Sequence, residues 1–436
     1  MLNRRELIGA GAAILASSVP ARSQSVPRAF PQGFLWGAAT AGHQVEGQNT
    51  NSDIWTLEHV TPSIFRESSG DACDSFNRWP DDMDIVRALG LNSYRFSLEW
   101  ARIEPSEGEF SASMMDHYRS MVIGCRDRGL VPVVTFNHFA SPRWFAARGG
   151  WEVPGSVALF ARFCDRAARA MAADMGYATT LNEPNILRLL HWLRLPFPPG
   201  MQAAEHAMLQ EAARQCGCTL FSAANSGNAD IMLPNLLAGH KAGYDAIKSV
   251  NPSLPVGVSI SMTDDQAMGD PAVRDAKRRD CYGPWMEMVA AHADFLGVQN
   301  YSRARFDSRG QLPPPDGAEI GQQGEEVYPA SLEGAIRYGH VATGKPILVT
   351  ENGVATLDDR VRARYIPAAI AGVQRAMGDN IPVLGYVHWS LLDNFEWIFG
   401  YGPKLGLCSV DRATQKRTPK PSAHVYGGIA RNNGLT

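Results

Sequence analysis

Apolar, β-branched runs recur along the chain from about Phe30 onward, separated by longer segments in which apolar residues return at helical spacing. Eight such runs are Phe34 to Thr40, Asn92 to Trp100, Val131 to His138, Tyr177 to Glu183, Val256 to Ser261, Phe295 to Tyr301, Pro346 to Glu351 and Val383 to Ser390. The pattern between them predicts helices over Pro80 to Leu89 and Ser113 to Arg128, each closed by a glycine (Gly90, Gly129), and over Pro154 to Met175 and Asn235 to Val250. Strands alternating with helices predict an α/β fold with a parallel sheet, and eight of them predict a (β/α)8 TIM barrel. An open doubly wound sheet alternates in the same way. Two features weigh against it: no Gly-rich phosphate loop follows any run, and polar or aromatic residues gather at the ends of many strands instead of one crevice.

In a barrel all strand C-termini face one cavity. Gln44, Arg95, His138, Asn182, Glu183, Tyr301, Glu351 and Trp389 all lie at or just beyond such ends. Two runs stop abruptly at a glutamate, in Leu181-Asn182-Glu183-Pro184 and Val349-Thr350-Glu351-Asn352-Gly353. The breakers Pro184 and Asn352-Gly353 place each carboxylate where its strand leaves the core. Two carboxylates so placed can share one substrate, one donating a proton to a leaving oxygen and the other meeting an anomeric carbon, as cleavage of a glycosidic bond requires.

Composition narrows the picture without changing it. The chain has 436 residues, 45% hydrophobic and 19% charged, enough for a large core. No Ser/Gly linker or composition break divides it, so residues 27–436 are expected to form one domain. A formal net charge of -3, from 41 basic and 44 acidic residues with no basic stripe, argues against a nucleic-acid partner. The seven cysteines are an odd number, so at least one is unpaired or joins another chain, and Cys216 and Cys218 lack a second Cys/His pair at zinc spacing, so no metal is expected. Residues 1–26 read as an export signal: Arg4-Arg5 precede the short apolar stretch Gly9 to Ala16 and the small-residue site Ala21-Arg22-Ser23, in the order of a twin-arginine signal. The apolar stretch is shorter than the about 20 residues that span a bilayer. The expectation is a mature chain without a membrane span, periplasmic or secreted.

Six segments occur in an order that points further. They are Phe30-Pro31-Gln32-Gly33-Phe34-Leu35-Trp36-Gly37 continuing to Gln44-Val45-Glu46-Gly47; Tyr94-Arg95-Phe96-Ser97; His138; Asn182-Glu183-Pro184; Thr350-Glu351-Asn352-Gly353; and Trp389-Ser390-Leu391-Leu392-Asp393-Asn394-Phe395-Glu396-Trp397. From Phe30 to Tyr426 the chain resembles glycoside hydrolase family 1, the β-glucosidase family of retaining (β/α)8 enzymes. The resemblance implies Glu183 as acid/base and Glu351 as nucleophile, with Arg95 and Tyr301 orienting Glu351 and Asn182 reaching the sugar's 2-hydroxyl. It implies Gln44, His138, Asn182 and Glu396 as the polar sugar-binding set, with Trp389 and Trp397 as its aromatic faces. The implied activity is that of a retaining, exo-acting β-glycosidase, most simply a β-glucosidase, acting on small unphosphorylated β-glycosides without a cofactor. A transglycosidase using the same intermediate and a non-catalytic sugar-binding protein are the alternatives. Three departures from the family pattern stand out: Gln299-Asn300-Tyr301 where Asn-Tyr-Tyr is usual, so that only the tyrosine carries over; Phe139-Ala140 after His138; and Pro403-Lys404-Leu405 after the last motif. The aglycone side is expected from Trp192, Leu189, Leu193 and an irregular loop from Arg303 to Glu326.

Overall fold

A computed structural model describes residues 29–193 and 200–435. The expected export signal at 1–26 lies outside the described residues. Eight parallel strands close into a barrel: Leu35–Ala39, Ser93–Ser97, Val131–Asn137, Tyr177–Asn182, Val256–Ser261, Phe295–Asn300, Ile347–Asn352 and Val383–Trp389. Each falls within the matching run read from the sequence, bar a residue at the seventh strand's end. The first strand pairs with the eighth through Leu35↔Gly385 to Ala39↔Trp389, and with the second through Gly37↔Ser93 to Ala39↔Arg95, which closes the ring. All eight are almost wholly buried. Strands buried on both faces read as near-continuous apolar runs, which is why they stood out.

At the N-terminal end of the barrel Leu35, Val133, Phe295 and Leu348, from four different strands, form a separate apolar cluster. Glycine makes room for two of them. A Cβ at Gly257 would lie 2.7 Å from the Phe295 ring, and one at Gly385 would lie 2.4 Å from the Leu35 Cβ. Side chains therefore fill the barrel at this end.

Three elements differ from the sequence reading. The helix expected from Pro80 spans Ser75–Ala88, with its first turn held by Ser75 Oγ donating to buried Asp82 at 2.6 Å. The helix expected from Asn235 spans Ala229–Val250, started by the Asn228 side chain, which accepts from the Asp230 and Ile231 N–H groups. Both contain a proline, which removes one backbone donor and is tolerated where tertiary contacts hold the preceding turn. The third is the stretch from Arg303: strands Arg303–Asp307 and Gly310–Leu312 join Asp264–Ala267 in a small three-stranded sheet. Alternation in Arg303-Ala304-Arg305-Phe306-Asp307, with Ala304 and Phe306 buried, is the period of a half-buried strand.

Among the described residues all seven cysteines are free, no group of His, Cys, Asp or Glu has the arrangement of a metal site, and no helix is long and apolar enough to cross a membrane.

Candidate active site

Glu351 is the last residue but one of the seventh strand, and its carboxylate is held from three sides. Arg95 Nη1, from the second strand, donates to Oε1 at 2.5 Å; Gln299 Nε2, from the sixth, donates to the same oxygen at 2.8 Å. Tyr301, just past the sixth strand, donates its hydroxyl to Oε2 at 2.5 Å. Both oxygens are thus occupied and the group cannot rotate. Asn182, ending the fourth strand, completes the network: its Oδ1 accepts from Arg95 Nη2 at 2.6 Å and from Gln299 Nε2 at 2.8 Å. With that oxygen saturated by donors, its Nδ2 faces His138 Nε2 at 3.2 Å. His138, buried and beside Arg95, has its basicity pushed well below the ordinary value, so it stands as a neutral ring.

Glu183 is placed by different means. Its backbone adopts φ 44°, in the left-handed region that non-glycine residues rarely occupy. Pro184 disfavours a right-handed helical conformation at the residue before it. The Glu183 N–H donates to the Ser259 carbonyl at 2.8 Å. Asn185 pins the next turn to the fifth strand, donating to the Ser261 carbonyl at 2.8 Å and accepting from the Ser261 N–H at 3.1 Å. The Ser261 hydroxyl beside the Glu183 carboxyl favours its charged form, against the larger effect of burial.

The two carboxyls are therefore unlike. Burial, then repulsion from Glu351, pushes Glu183 up to about 8. Burial also raises Glu351, but the Arg95 charge and the donors from Tyr301 and Arg95 oppose it. The group without a cation on its oxygens keeps its proton; the group gripped by a guanidinium is the better anion.

Both glutamates line one cavity of about 280 Å³ at the C-terminal end of the barrel, together with Gln44, His138, Trp389, Glu396 and Trp397. Gln44 Nε2 donates to the Phe395 carbonyl at 2.7 Å, tying the loop after the first strand to the loop that carries Glu396 and Trp397. Asp393 anchors the other side of that loop by accepting from the Gly406 N–H at 2.9 Å and Lys420 Nζ at 2.8 Å. The Trp397 ring lies parallel to His43, 6.0 Å between centroids, and to His138, 6.1 Å; Trp389 stacks on His138 at 5.5 Å. Gln44 Oε1, His138 Nδ1 and Glu396 Oε1 are buried here without a hydrogen-bond partner in the protein. Buried polar atoms are normally paired, so three at one end of a cavity mark where a polar ligand would be held. Burial and the nearby Glu351 push Glu396 up to about 8. No Lys or Arg is among the described residues lining the cavity.

The structure thus brings together all ten residues singled out in the sequence. It also adds Gln299 and Ser261, which sequence reading passed over. Gln299 takes the donor position at the departure from the family pattern, and the only signal for it was a buried amide at the end of an apolar strand. Leu189 and Leu193 line the cavity, as expected. Trp192 does not: its indole N–H donates to Asp280 at 2.7 Å, on the far side of its short helix.

Comparison with known proteins agrees with this geometry. The model of the family described as Glycosyl hydrolase family 1 matches residues 26–313 and 286–435. The thermostable β-glucosidase B of Thermobispora bispora is 30% identical over 98% of this chain and 97% of its own. The β-glucosidase A of Thermotoga maritima is 29% identical over 93% of this chain and 98% of its own. Among solved structures, the apo form of a β-glucosidase superposes with a TM-score of 0.88 at 44% identity, covering 92% of this chain and 98% of that one.

Proposed function

This chain belongs to glycosyl hydrolase family 1 and is a glycoside hydrolase, and from that premise we propose that it cleaves unphosphorylated β-glucosides by double displacement with retention at the anomeric carbon. The observation that carries the proposal is the asymmetry of the two carboxyls around one cavity.

In the first step Glu351 attacks the anomeric carbon with a carboxylate oxygen while the bond from that carbon to the leaving oxygen breaks. The Glu183 proton passes to the leaving oxygen, and the aglycone departs as an alcohol. In the second step the Glu183 carboxylate takes a proton from water, whose oxygen attacks the same carbon and breaks the ester to Glu351. Both glutamates return to their starting states. Arg95, Gln299 and Tyr301 fix the nucleophile and favour its charged form. Asn182, locked to the same donors, is aimed at the 2-hydroxyl, where contacts strengthen in the transition state.

The glycone is assigned to the end holding Gln44 Oε1, His138 Nδ1 and Glu396 Oε1, with Trp389 and Trp397 covering its faces. The lack of a cation among the described residues lining the cavity, with Glu396 at the glycone end, favours a neutral sugar. Glucose is supported by the relatives named above. Proton NMR of the glucose as it is first released from an aryl β-glucoside tests the mechanism. β-Glucose is expected before mutarotation; α-glucose as the initial product would overturn it.

A further inference from the structure

We propose, resting on the glycosidase reading above, that the aglycone half of the cavity selects an apolar alcohol, alkyl or aryl, over a second sugar. The argument begins with the short helix Ile186–Trp192 that follows Glu183. Ile186, Leu189, Leu190 and Leu193 stand at i, i+3, i+4 and i+7, one helical stripe, and all four line the cavity. On a helix of a soluble domain such a stripe faces the core. Here Ile186, Leu190 and Leu193 are only half-buried because the cavity lies before them. Met262, after the fifth strand, extends the same wall.

The hydroxyl groups on this half are already committed elsewhere. Thr263 Oγ1 donates to Asp265 Oδ1 at 2.6 Å and accepts from Lys277 Nζ at 2.7 Å. Lys277 and Asp265 are themselves wholly buried and paired at 2.6 Å. With its proton and a lone pair engaged behind the wall, Thr263 has little hydrogen-bonding capacity left for an aglycone. Ser302 Oγ donates to the Glu326 carbonyl at 3.0 Å, and the Ser261 hydroxyl lies beside the Glu183 carboxyl. Among the described residues Gln323 and Glu325 are the polar side chains that remain, and the Glu325 carboxylate already accepts from the Gln323 N–H at 2.9 Å. A sugar in this half would give up water on most of its hydroxyls without finding partners, whereas an alkyl or aryl group loses nothing polar. The contrast with the glycone end, where buried polar atoms stand unpaired, is what assigns the two halves to ligands of opposite chemistry.

The test is kcat/KM for octyl β-glucoside, cellobiose and β-glucosyl fluoride, with the intact protein and with Leu190→Gln. Glucosyl fluoride has no aglycone and reports the glycone end alone. The expected result is octyl glucoside favoured over cellobiose by about 10-fold or more, a preference that shrinks by about 10-fold in the variant while glucosyl fluoride is unaffected. Cellobiose cleaved as well as or better than octyl glucoside, or a preference unmoved by the substitution, would overturn the proposal and leave the glycosidase reading standing. No cleavage of any of the three would defeat the β-glucosidase reading, and the aglycone proposal with it. Leu193→Gln, at the end of the same stripe, repeats the test should Leu190→Gln fail to fold.

Discussion

Toward their N-terminal ends the strands of this barrel meet in Leu35, Val133, Phe295 and Leu348, whereas Asn182, Gln299 and Glu351 at C-terminal ends, with Arg95 reaching up from the middle of the second strand, form one hydrogen-bonded network. The seventh strand contributes to both, with Leu348 and Glu351 three residues apart. A rise of about 3.3 Å per residue puts them some 10 Å apart, enough to change the surroundings completely. At one end burial of apolar area stabilises the fold. At the other, burial raises the free energy of Glu183, Glu351 and Glu396 as anions, which is unfavourable for folding and necessary for chemistry. The two ends therefore answer differently to substitution, and that difference can be measured.

The largest effect is expected at Glu183. Glu183→Gln should lower kcat/KM by about 10²- to 10⁴-fold for an alkyl glucoside, whose leaving group needs a proton. An activated nitrophenyl leaving group should suffer far less. In the unaltered protein, activity should fall as pH rises through about 8, where Glu183 loses its proton, and the variant should lose Glu183's part of that limb, keeping only what Glu396, pushed to a similar value, contributes. The sign for stability follows from linkage. Folded Glu183 holds its proton between its ordinary value of 4.5 and about 8 while the unfolded chain has released it, so this group's contribution to stability declines as pH rises across that window. Glu183→Gln should flatten the decline, as read from the pH dependence of denaturant midpoints. An alkyl glucoside cleaved as fast by the variant as by the unaltered protein would move the acid role elsewhere.

Gln299 comes next. Gln299→Leu removes one donor from Glu351 and from Asn182 together, and a hydrogen bond to a charged group of this kind corresponds to about a 10- to 10²-fold loss in kcat/KM. The acidic limb of the pH profile should shift upward, because the anionic form of Glu351 has lost a partner. An unchanged limb and unchanged rate would show that Gln299 only fills space.

The smallest effect on activity is expected at the opposite end. Leu348→Ala should lower unfolding free energy by about 2 to 5 kcal/mol and leave kcat within about twofold, measured by denaturant titration beside steady-state rates. A large fall in kcat with little loss of stability would erase the division between the ends.

How much of this the sequence carried follows the same division. The barrel strands were legible because burial on both faces leaves little but apolar residues in them. The glutamates were legible because Pro184 and Gly353 mark where their strands end. Gln299 was not, since its role depends on Asn182 from one strand and Glu351 from another, a meeting that no local pattern records. Helix starts at Ser75 and Ala229 were hidden by Pro80 and Pro234, whose local signal is to begin or break a helix. Trp192 was misplaced because an indole looks equally suited to a cavity wall and to a partner such as Asp280; the helix phase, with leucines at 189, 190 and 193 on the cavity, decides between them.

The central claim is that Glu351 carries the sugar between the two steps. A 2-deoxy-2-fluoro-β-glucoside with a good leaving group slows both steps, the second more, so the intermediate accumulates for mass spectrometry. One fluoroglucosyl group per chain, mapped to Glu351 in the peptide containing Thr350-Glu351-Asn352, is the result expected. Turnover without any adduct, or an adduct on Glu183 or another residue, would contradict it.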